Sequence, residues 1–473
     1  MFDCTRFYID GKWKSDPCSE LHDIINPATE LSVGKVAYGT VEDVDQAVAA
    51  ARAAFSGYSR WAVNDRLALL DSIIRVYKTR WNDIAAAITA EMGAPVAFSR
   101  RSQAGSGLAH LRATMTALEN MKLETAAGDF LELKEAIGVC GLITPWNWPV
   151  NQIMCKVAPA LAAGCTMILK PSEIAPADAS ILAEVLHEAG VPAGVFNLVH
   201  GDGPGVGSAL SGHPGIDMVS FTGSTRAGVL VAKSAADSVK RVAQELGGKS
   251  PNIILETAPL KEAVTHGARA MFNNSGQSCN APSRMLVPES LYEEAVEWAV
   301  GVAAATRPGD PQSADTDIGP VVSAAQYEKI QSLIAKGIEE GAVTAAGGPG
   351  KPRGLETGYY VRPTVFRDVH NRMSIAREEI FGPVLCMIPY NTIDEAVAIA
   401  NDTVYGLSSY VWAGDREEAM AVARRLRSGM VHINGADTSV AAPFGGYRQS
   451  GNGREWGRHG IEEFMETKAV MGY

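Results

Sequence analysis

Apolar residues at Val44, Ala47, Val48, Ala51 and Phe55 recur at three- and four-residue steps, which puts them on one helical face. Thr40 just ahead of them, with Asp43 three residues on, has the spacing of a capping box and predicts a helix start at Thr40. A second stripe, Leu67, Leu70, Ile74, Tyr77, Trp81 and Ile84, predicts one longer helix from about Asp65, ended by Gly93 and Pro95. Ahead of both, Phe7-Tyr8-Ile9-Asp10-Gly11-Lys12-Trp13 reads as a short hairpin turning at Asp-Gly.

From Ile137 the pattern changes to short apolar strands alternating with helices. Gly138-Val139-Cys140-Gly141-Leu142-Ile143 leads into a helix ending near Ala163, and Thr166-Met167-Ile168-Leu169 into one near residues 177–188. Val195-Phe196-Asn197-Leu198-Val199 and Asp217-Met218-Val219-Ser220-Phe221 continue the series, with a further helix running to about Val242. Such repetition implies right-handed crossovers and a parallel sheet, the doubly wound α/β architecture of nucleotide-binding domains. A second alternating region begins at Pro251-Asn252-Ile253-Ile254-Leu255 and runs to about Asn434. The last residues, from about Arg448, are Gly-rich and polar before a final strand-like stretch.

At 473 residues the chain exceeds one compact core, and about three structural units are expected at ~150 residues each. Net charge is −11 without a basic stripe, which argues against nucleic acid as a partner. The longest apolar run, residues 157–169, contains Pro159 and Gly164 and is shorter than the ~20 residues a bilayer requires. The N-terminus lacks the basic-then-apolar texture of a signal peptide. Seven cysteines without a Cys-x-x-Cys speak against a disulfide framework or structural zinc, so no metal is expected and a cytoplasmic setting fits best.

The Gly201–Gly207 segment looks like a phosphate loop, yet no frame gives G-x-G-x-x-G. Phe221-Thr222-Gly223-Ser224-Thr225-Arg226-Ala227-Gly228 is better placed, because free amides at a helix start suit a pyrophosphate. Cys279 stands among polar neighbours in Ser275-Gly276-Gln277-Ser278-Cys279-Asn280, unlike the usual buried cysteine. A thiolate there is a natural nucleophile for a carbonyl carbon. Cys4, Cys18, Cys140, Cys155, Cys165 and Cys386 lack that context and read as structural. Glu245, before the paired glycines of Leu246-Gly247-Gly248, is a candidate base toward water, since a carboxylate in a dry cleft has a raised pKa. Asn147, in Pro145-Trp146-Asn147-Trp148-Pro149, is an amide donor suited to an oxyanion, and Lys170 and Glu173 follow a strand where ligands bind.

Together these motifs resemble the aldehyde dehydrogenase superfamily, over essentially the whole chain and in order, with Glu378-Glu379-Ile380-Phe381-Gly382-Pro383 and Pro443-Phe444-Gly445-Gly446 added. The resemblance implies a Rossmann-type cofactor domain (residues 1–116 and 138–246), an α/β catalytic domain (247–447) and a small bridging element (117–137 and 448–473). It makes Cys279 the nucleophile, Asn147 the oxyanion donor and Glu245 the base that hydrolyses the thioester. It makes NAD the cofactor, with NADP as an alternative. Lys170 and Glu173 would address the adenosine ribose, Gly223 and Ser224 the pyrophosphate, Glu379 the nicotinamide ribose, and Phe381 would pack near the ring. Ile143, Thr144, Trp146, Ser172, Gly203 and Leu246 complete the cofactor set. Lys156 and Glu466 match positions that assist proton movement.

Semialdehyde-oxidising relatives often carry an arginine where this chain has Cys155, and the loop 434–443 holds no arginine. A neutral aliphatic or aromatic aldehyde is therefore expected rather than a small acidic semialdehyde, with Trp148, Asn151, Gln152, Cys155, Asn280 and Asp437 at the entrance. CoA-acylating relatives typically lack the glutamate found here as Glu245, and crystallin-like relatives have lost the chemistry. A homodimer or homotetramer is implied.

Overall fold

A computed structural model describes residues 1–15 and 19–473, so Cys18 lies outside the described residues. The hairpin forms between strands Phe7–Ile9 and Lys12–Lys14, with Asp10 and Gly11 both at positive φ as a two-residue turn requires. The first helix is Val41–Tyr58, and the Thr40–Asp43 box is closed in both directions. Such a cap contributes about 1 kcal/mol. The longer helix foreseen from Asp65 is two, Val63–Thr79 and Trp81–Met92. Arg80 breaks it at φ −100° and ψ 6°, where its guanidinium is held by Asp83 at 2.7 Å and Glu184 at 2.9 Å.

Eight strands form the first sheet among the described residues, in the spatial order 451–452, 241–245, 218–222, 139–143, 166–170, 196–198, 7–9, 12–14. The five central strands are parallel. Helices Pro149–Ala163, Ala177–Glu188 and Thr225–Ala236 make the crossovers. Chain order moves outward one way from Val139–Ile143 through Thr166–Lys170 and the other way through Met218–Thr222, so a topological switch lies between Val139–Ile143 and Met218–Thr222. Open α/β sheets bind ligands in the crevice at such a point.

The helix expected to reach Val242 stops at Ala236, and Arg241–Glu245 is a strand. Nothing in residues 225–242 is a proline or a glycine after Gly228, so the break has no local marker. It comes from Val239 at positive φ and from Lys240, whose ammonium is drawn inside to the carbonyls of Ser211 (3.0 Å) and His213 (2.6 Å).

A second, seven-stranded sheet runs 343–346, 364–367, 384–390, 284–288, 251–254, 408–412, 430–433, parallel except for its first member. Met465–Met471, Phe130–Ala136 and Glu124–Ala127 make a separate antiparallel sheet, joining the 117–137 excursion to the chain's last strand. Residues 448–463 lie elsewhere: Gly451–Asn452 extends the first sheet, and Ile461 packs into that sheet's core. Among the described residues no helix is long and apolar enough to cross a membrane.

Candidate active site

The parallel strands of the first sheet end at Ile143, Lys170, Thr222 and Glu245, and all four residues line one cleft of about 430 Å³. Its far wall is the leading edge of the second sheet, where Cys279 precedes strand Arg284–Pro288, and Glu379 and Phe381 precede strand Val384–Tyr390. Residues 246–250 link strand Arg241–Glu245 of the first sheet to strand Pro251–Ile254 of the second, and Leu246 and Gly247 line the cleft. The cleft also takes in Thr144, Trp146, Asn147, Ser172, Glu173, Gly203, Gly223, Ser224 and Leu246, so every residue of the sequence-derived catalytic and cofactor set is brought to one place. A wider depression of about 520 Å³ beside Arg241, Arg454 and Glu463 holds none of them.

Cys279 is presented by an unusual turn. Helix Leu260–Phe272 ends, and Asn274, Ser275 and Gly276 all take positive φ before the chain reaches the thiol. A Cβ on Gly276 would meet the Gly382 carbonyl at 2.1 Å, so only glycine fits there. The two preceding residues carry strain of the sort concentrated at functional sites. The glycine pair after Glu245 serves close approach as its sequence suggested. A Cβ on Gly248 would sit 2.3 Å from the Cys279 carbonyl oxygen, and one on Gly247 would sit 2.5 Å from Glu379 Oε2.

Asn147 is buried, and its Nδ2 donates to the Gln277 carbonyl at 3.0 Å. Its own carbonyl accepts from Gln103 Nε2 (3.1 Å) and Asn274 Nδ2 (2.9 Å). The amide is thereby fixed with one N–H engaged, and an amide nitrogen carries two. Trp148 Nε1 donates to Ser278 Oγ at 2.8 Å, pinning the residue next to Cys279. Burial pushes the Cys279 thiol well above its ordinary value, the charges of Glu379 and Glu245 add to that, and its own backbone N–H opposes it. The thiol therefore needs a proton acceptor.

Glu245 is buried, and neither carboxylate oxygen has a protein partner. Burial raises its pKa well above the usual carboxylate range, Glu455 raises it further, and Lys156 and Arg454 pull it back. Glu455 is the residue that sequence reading missed. It forms a buried ion pair with Lys156, whose ammonium also donates to Ser220 Oγ at 3.1 Å. Glu466, matched by the sequence to a position that assists proton movement, is instead exposed on the last strand and bound to Arg241 at 2.8 Å. A lysine in the wholly apolar middle of Pro149–Ala163 demands a buried counter-charge, and that was the available signal. Local pattern does not say which of the carboxylates at 455, 462, 463 and 466 supplies it.

At the cofactor end, Ser224 caps helix Thr225–Ala236 by accepting from the Ala227 N–H (3.3 Å), with Gly223 beside it. Lys170 Nζ holds Glu173 Oε2 at 2.9 Å. Glu379 accepts from the Gly248 N–H at 2.9 Å, and burial raises its pKa. Phe381, at positive φ, meets Trp146 edge-on at 5.5 Å. The hydroxyls of Thr144 and Thr222 are buried in the walls without protein partners. Gln326 and Lys329 also line the cleft and had no signal in sequence, while Arg226 joins them from the Phe221–Gly228 motif.

The entrance set is only partly gathered. Gln152 lines the cleft, Asn151 Oδ1 accepts from His110 Nε2 at 2.8 Å, and the Asn280 carbonyl accepts from Tyr410. Asp437 is exposed in its loop. Cys155 does not reach an open entrance: it is buried, and its thiol donates to Glu455 at 3.1 Å. Cys4, Cys140, Cys165 and Cys386 are buried and unpaired. Among the described residues, no group of three or more His, Cys, Asp or Glu is placed to hold a metal ion.

The sequence matches the aldehyde dehydrogenase family over residues 13–470. A 3-succinoylsemialdehyde-pyridine dehydrogenase from a Pseudomonas species is 56% identical over 474 aligned residues, covering 100% of this chain and 99% of that one. The crystal structure of a cysteine-to-alanine variant of aldehyde dehydrogenase C from Pseudomonas syringae, complexed with NAD+ and octanal, superposes with a TM-score of 0.98 at 51% identity. It covers 99% of this chain and 97% of that one. An aldehyde dehydrogenase from Bartonella henselae gives a TM-score of 0.98 at 47% identity, with both chains covered in full.

Proposed function

The chain belongs to the aldehyde dehydrogenase family, and from that premise we propose NAD-dependent oxidation of an uncharged aldehyde to its carboxylic acid, through a thioester on Cys279 that Glu245-activated water hydrolyses. One observation carries the reading. A thiol, an amide with a spare N–H and a carboxylate with two free oxygens line the same cleft, whose other end is built for a dinucleotide. The experiment that tests it mixes the protein with NAD+ and a panel of aliphatic and aromatic aldehydes. One equivalent of acid per NADH is expected, and NADH formation with no aldehyde of the panel would overturn the reading.

The cleft fits a nicotinamide dinucleotide. The orphaned Thr144 and Thr222 hydroxyls, the capped helix start at Ser224 and the carboxylates of Glu173 and Glu379 are the donors and acceptors such a group needs. When bound, it supplies the acceptor for the hydride that leaves the substrate carbon. The protein's own groups do the rest. Cys279 sulfur bonds to the carbonyl carbon while the thiol proton passes to Glu245. The resulting oxyanion is met by the spare Asn147 N–H and the Cys279 backbone N–H, donors worth about 10²–10³ in rate at comparable sites. After the hydride departs, Glu245 releases the thiol proton to solvent and takes another from water; hydroxide adds to the thioester carbon, and the carbon–sulfur bond breaks to give the acid and the Cys279 thiolate, which that second proton returns to the thiol. The buried Lys156–Glu455 pair sets the charge that Glu245 feels.

That charge gives a pH prediction. Glu245 works as a base only when ionised, and its raised pKa makes hydrolysis increase with pH across an acid limb lying above the usual carboxylate range. Glu455→Gln removes the negative charge that raises it and leaves Lys156 to lower it. The acid limb of the steady-state pH profile is expected to move to lower pH; a limb that stays or rises would contradict the assignment.

Glu173, held by Lys170, can accept from both hydroxyls of an adenosine ribose and repels a 2′-phosphate. Turnover with NAD+ is expected to exceed that with NADP+. Glu173→Gln should raise the NADP+/NAD+ ratio of kcat/KM by about tenfold, equivalent to ~1.4 kcal/mol. Equal use of the two cofactors by the unaltered protein would remove the preference. The antiparallel sheet formed by residues 117–137 with the last strand, where Met471 is exposed, supports a role in pairing copies of the chain.

A further inference from the structure

We propose that Asn151, oriented by the buried His110, is a hydrogen-bond donor at the level between Cys279 and Glu245 that selects aldehydes carrying an uncharged acceptor, such as a ring nitrogen or a ketone oxygen, over hydrocarbon aldehydes of the same size. The inference rests on Cys279 as the nucleophile.

Helix Pro149–Ala163 starts beside that residue, since Trp148 is tied to Ser278. Trp148, Asn151 and Cys155 recur at steps of three and four and so share one helical face. Its first member touches the Cys279 turn and its last touches Glu455, which leaves Asn151 at the level between nucleophile and base.

Aromatic rings surround that level. Phe98 packs edge-on against Trp148 at 5.4 Å, and Phe444 stacks on Trp456 at 4.3 Å. The Phe444 side is anchored at the base, because a Cβ on the adjoining Gly445 would fall 2.7 Å from Glu245 Oε1. Trp456 holds φ 72° and ψ 149°, a backbone region that is essentially glycine's alone. In that conformation its ring lies 5.3 Å from His110.

One polar feature interrupts the rings. His110 is 2% exposed, and burial lowers its pKa against the opposing pull of the Asn151 bond and the Glu455 charge. Its Nε2 lies 2.8 Å from Asn151 Oδ1, which requires the ring proton on Nε2. The amide oxygen is thereby occupied, and among the described residues the amide nitrogen has no protein partner. A hydrocarbon aldehyde would cover that donor and leave it unsatisfied, whereas a substrate acceptor would pair with it.

The test compares kcat/KM with NAD+ for matched 3-pyridyl and phenyl aldehydes of increasing chain length, which differ only by ring nitrogen against C–H. The pyridyl/phenyl ratio of the unaltered protein is expected to reach about tenfold at one chain length and to fall to about one in Asn151→Leu. Asn151→Asp, which replaces the donor by an acceptor, should drive the ratio below one. His110→Phe should lose the selectivity and His110→Gln, which can still donate to Asn151, should keep it; loss in both variants, like a ratio unmoved by Asn151→Leu or near one in the unaltered protein, would overturn the proposal. Absence of turnover with every aldehyde of both series would instead overturn the nucleophile assignment beneath it.

Discussion

Cys279→Ala is expected to cut NAD-dependent aldehyde oxidation by about 10⁴-fold or more while leaving NAD+ binding intact. The nucleophile is the one group for which this cleft holds no substitute. Cys155 is the other cysteine near the chemistry, and it is buried against Glu455. The residues proposed to hold the cofactor are others, Lys170, Glu173, Ser224 and Glu379 among them, so quenching of tryptophan fluorescence by NAD+ should persist in the variant. A residual rate within a factor of ten of the unaltered protein would remove Cys279 from the reaction.

The second large effect is expected at Glu245. Glu245→Gln keeps the shape of the side chain and removes its ability to take a proton. Oxidation up to the thioester needs less of the residue than hydrolysis does, because the Cys279 thiol can also lose its proton to solvent at high pH. Steady-state turnover should fall by about 10²–10⁴-fold, preceded by a burst of about one NADH per subunit. Added thiols such as CoA should not restore the rate if water is the natural acceptor in this site. Unchanged steady-state turnover would transfer the base's role to another group, and full rescue by CoA would favour thioester release to a thiol.

Much of this was legible in the sequence because the residues that carry chemistry here sit at chain positions fixed by the backbone. Ile143, Lys170 and Thr222 end parallel strands, and the alternation of strands and helices already placed those ends on one sheet edge. Gly247 and Gly248 announced close approach through their lack of a side chain, and Asp10-Gly11 announced a turn. What could not be read depends on partners distant in the chain. The strand Arg241–Glu245 follows helix-forming residues, and it is set by pairing with Met218–Thr222 and by the burial of Lys240. The break at Arg80 is held in part by Glu184, far away in sequence. Glu455 and Glu466 look alike as letters. Only the fold shows that the first turns inward to Lys156 and the second outward to Arg241.

Domain-scale grouping shows the same limit. Residues 448–463 share the polar, Gly-rich texture of the tail, yet Gly451–Asn452 pairs with the strand that ends in Glu245, and Glu455 reaches the base from that segment. The C-terminal region thus contributes to the buried charge cluster around Glu245 before its last strand leaves to pair with Phe130–Ala136.

The most direct measurement is intact-mass analysis of Glu245→Gln, quenched in acid after mixing with NAD+ and an aldehyde that the unaltered protein oxidises. A mass increase equal to the acyl group, mapped to the peptide containing Cys279 and absent when NAD+ is omitted, is the result expected. Burst formation of NADH with no acyl mass on that peptide, or with the acyl group on another residue, would contradict a thioester at Cys279 resolved by Glu245.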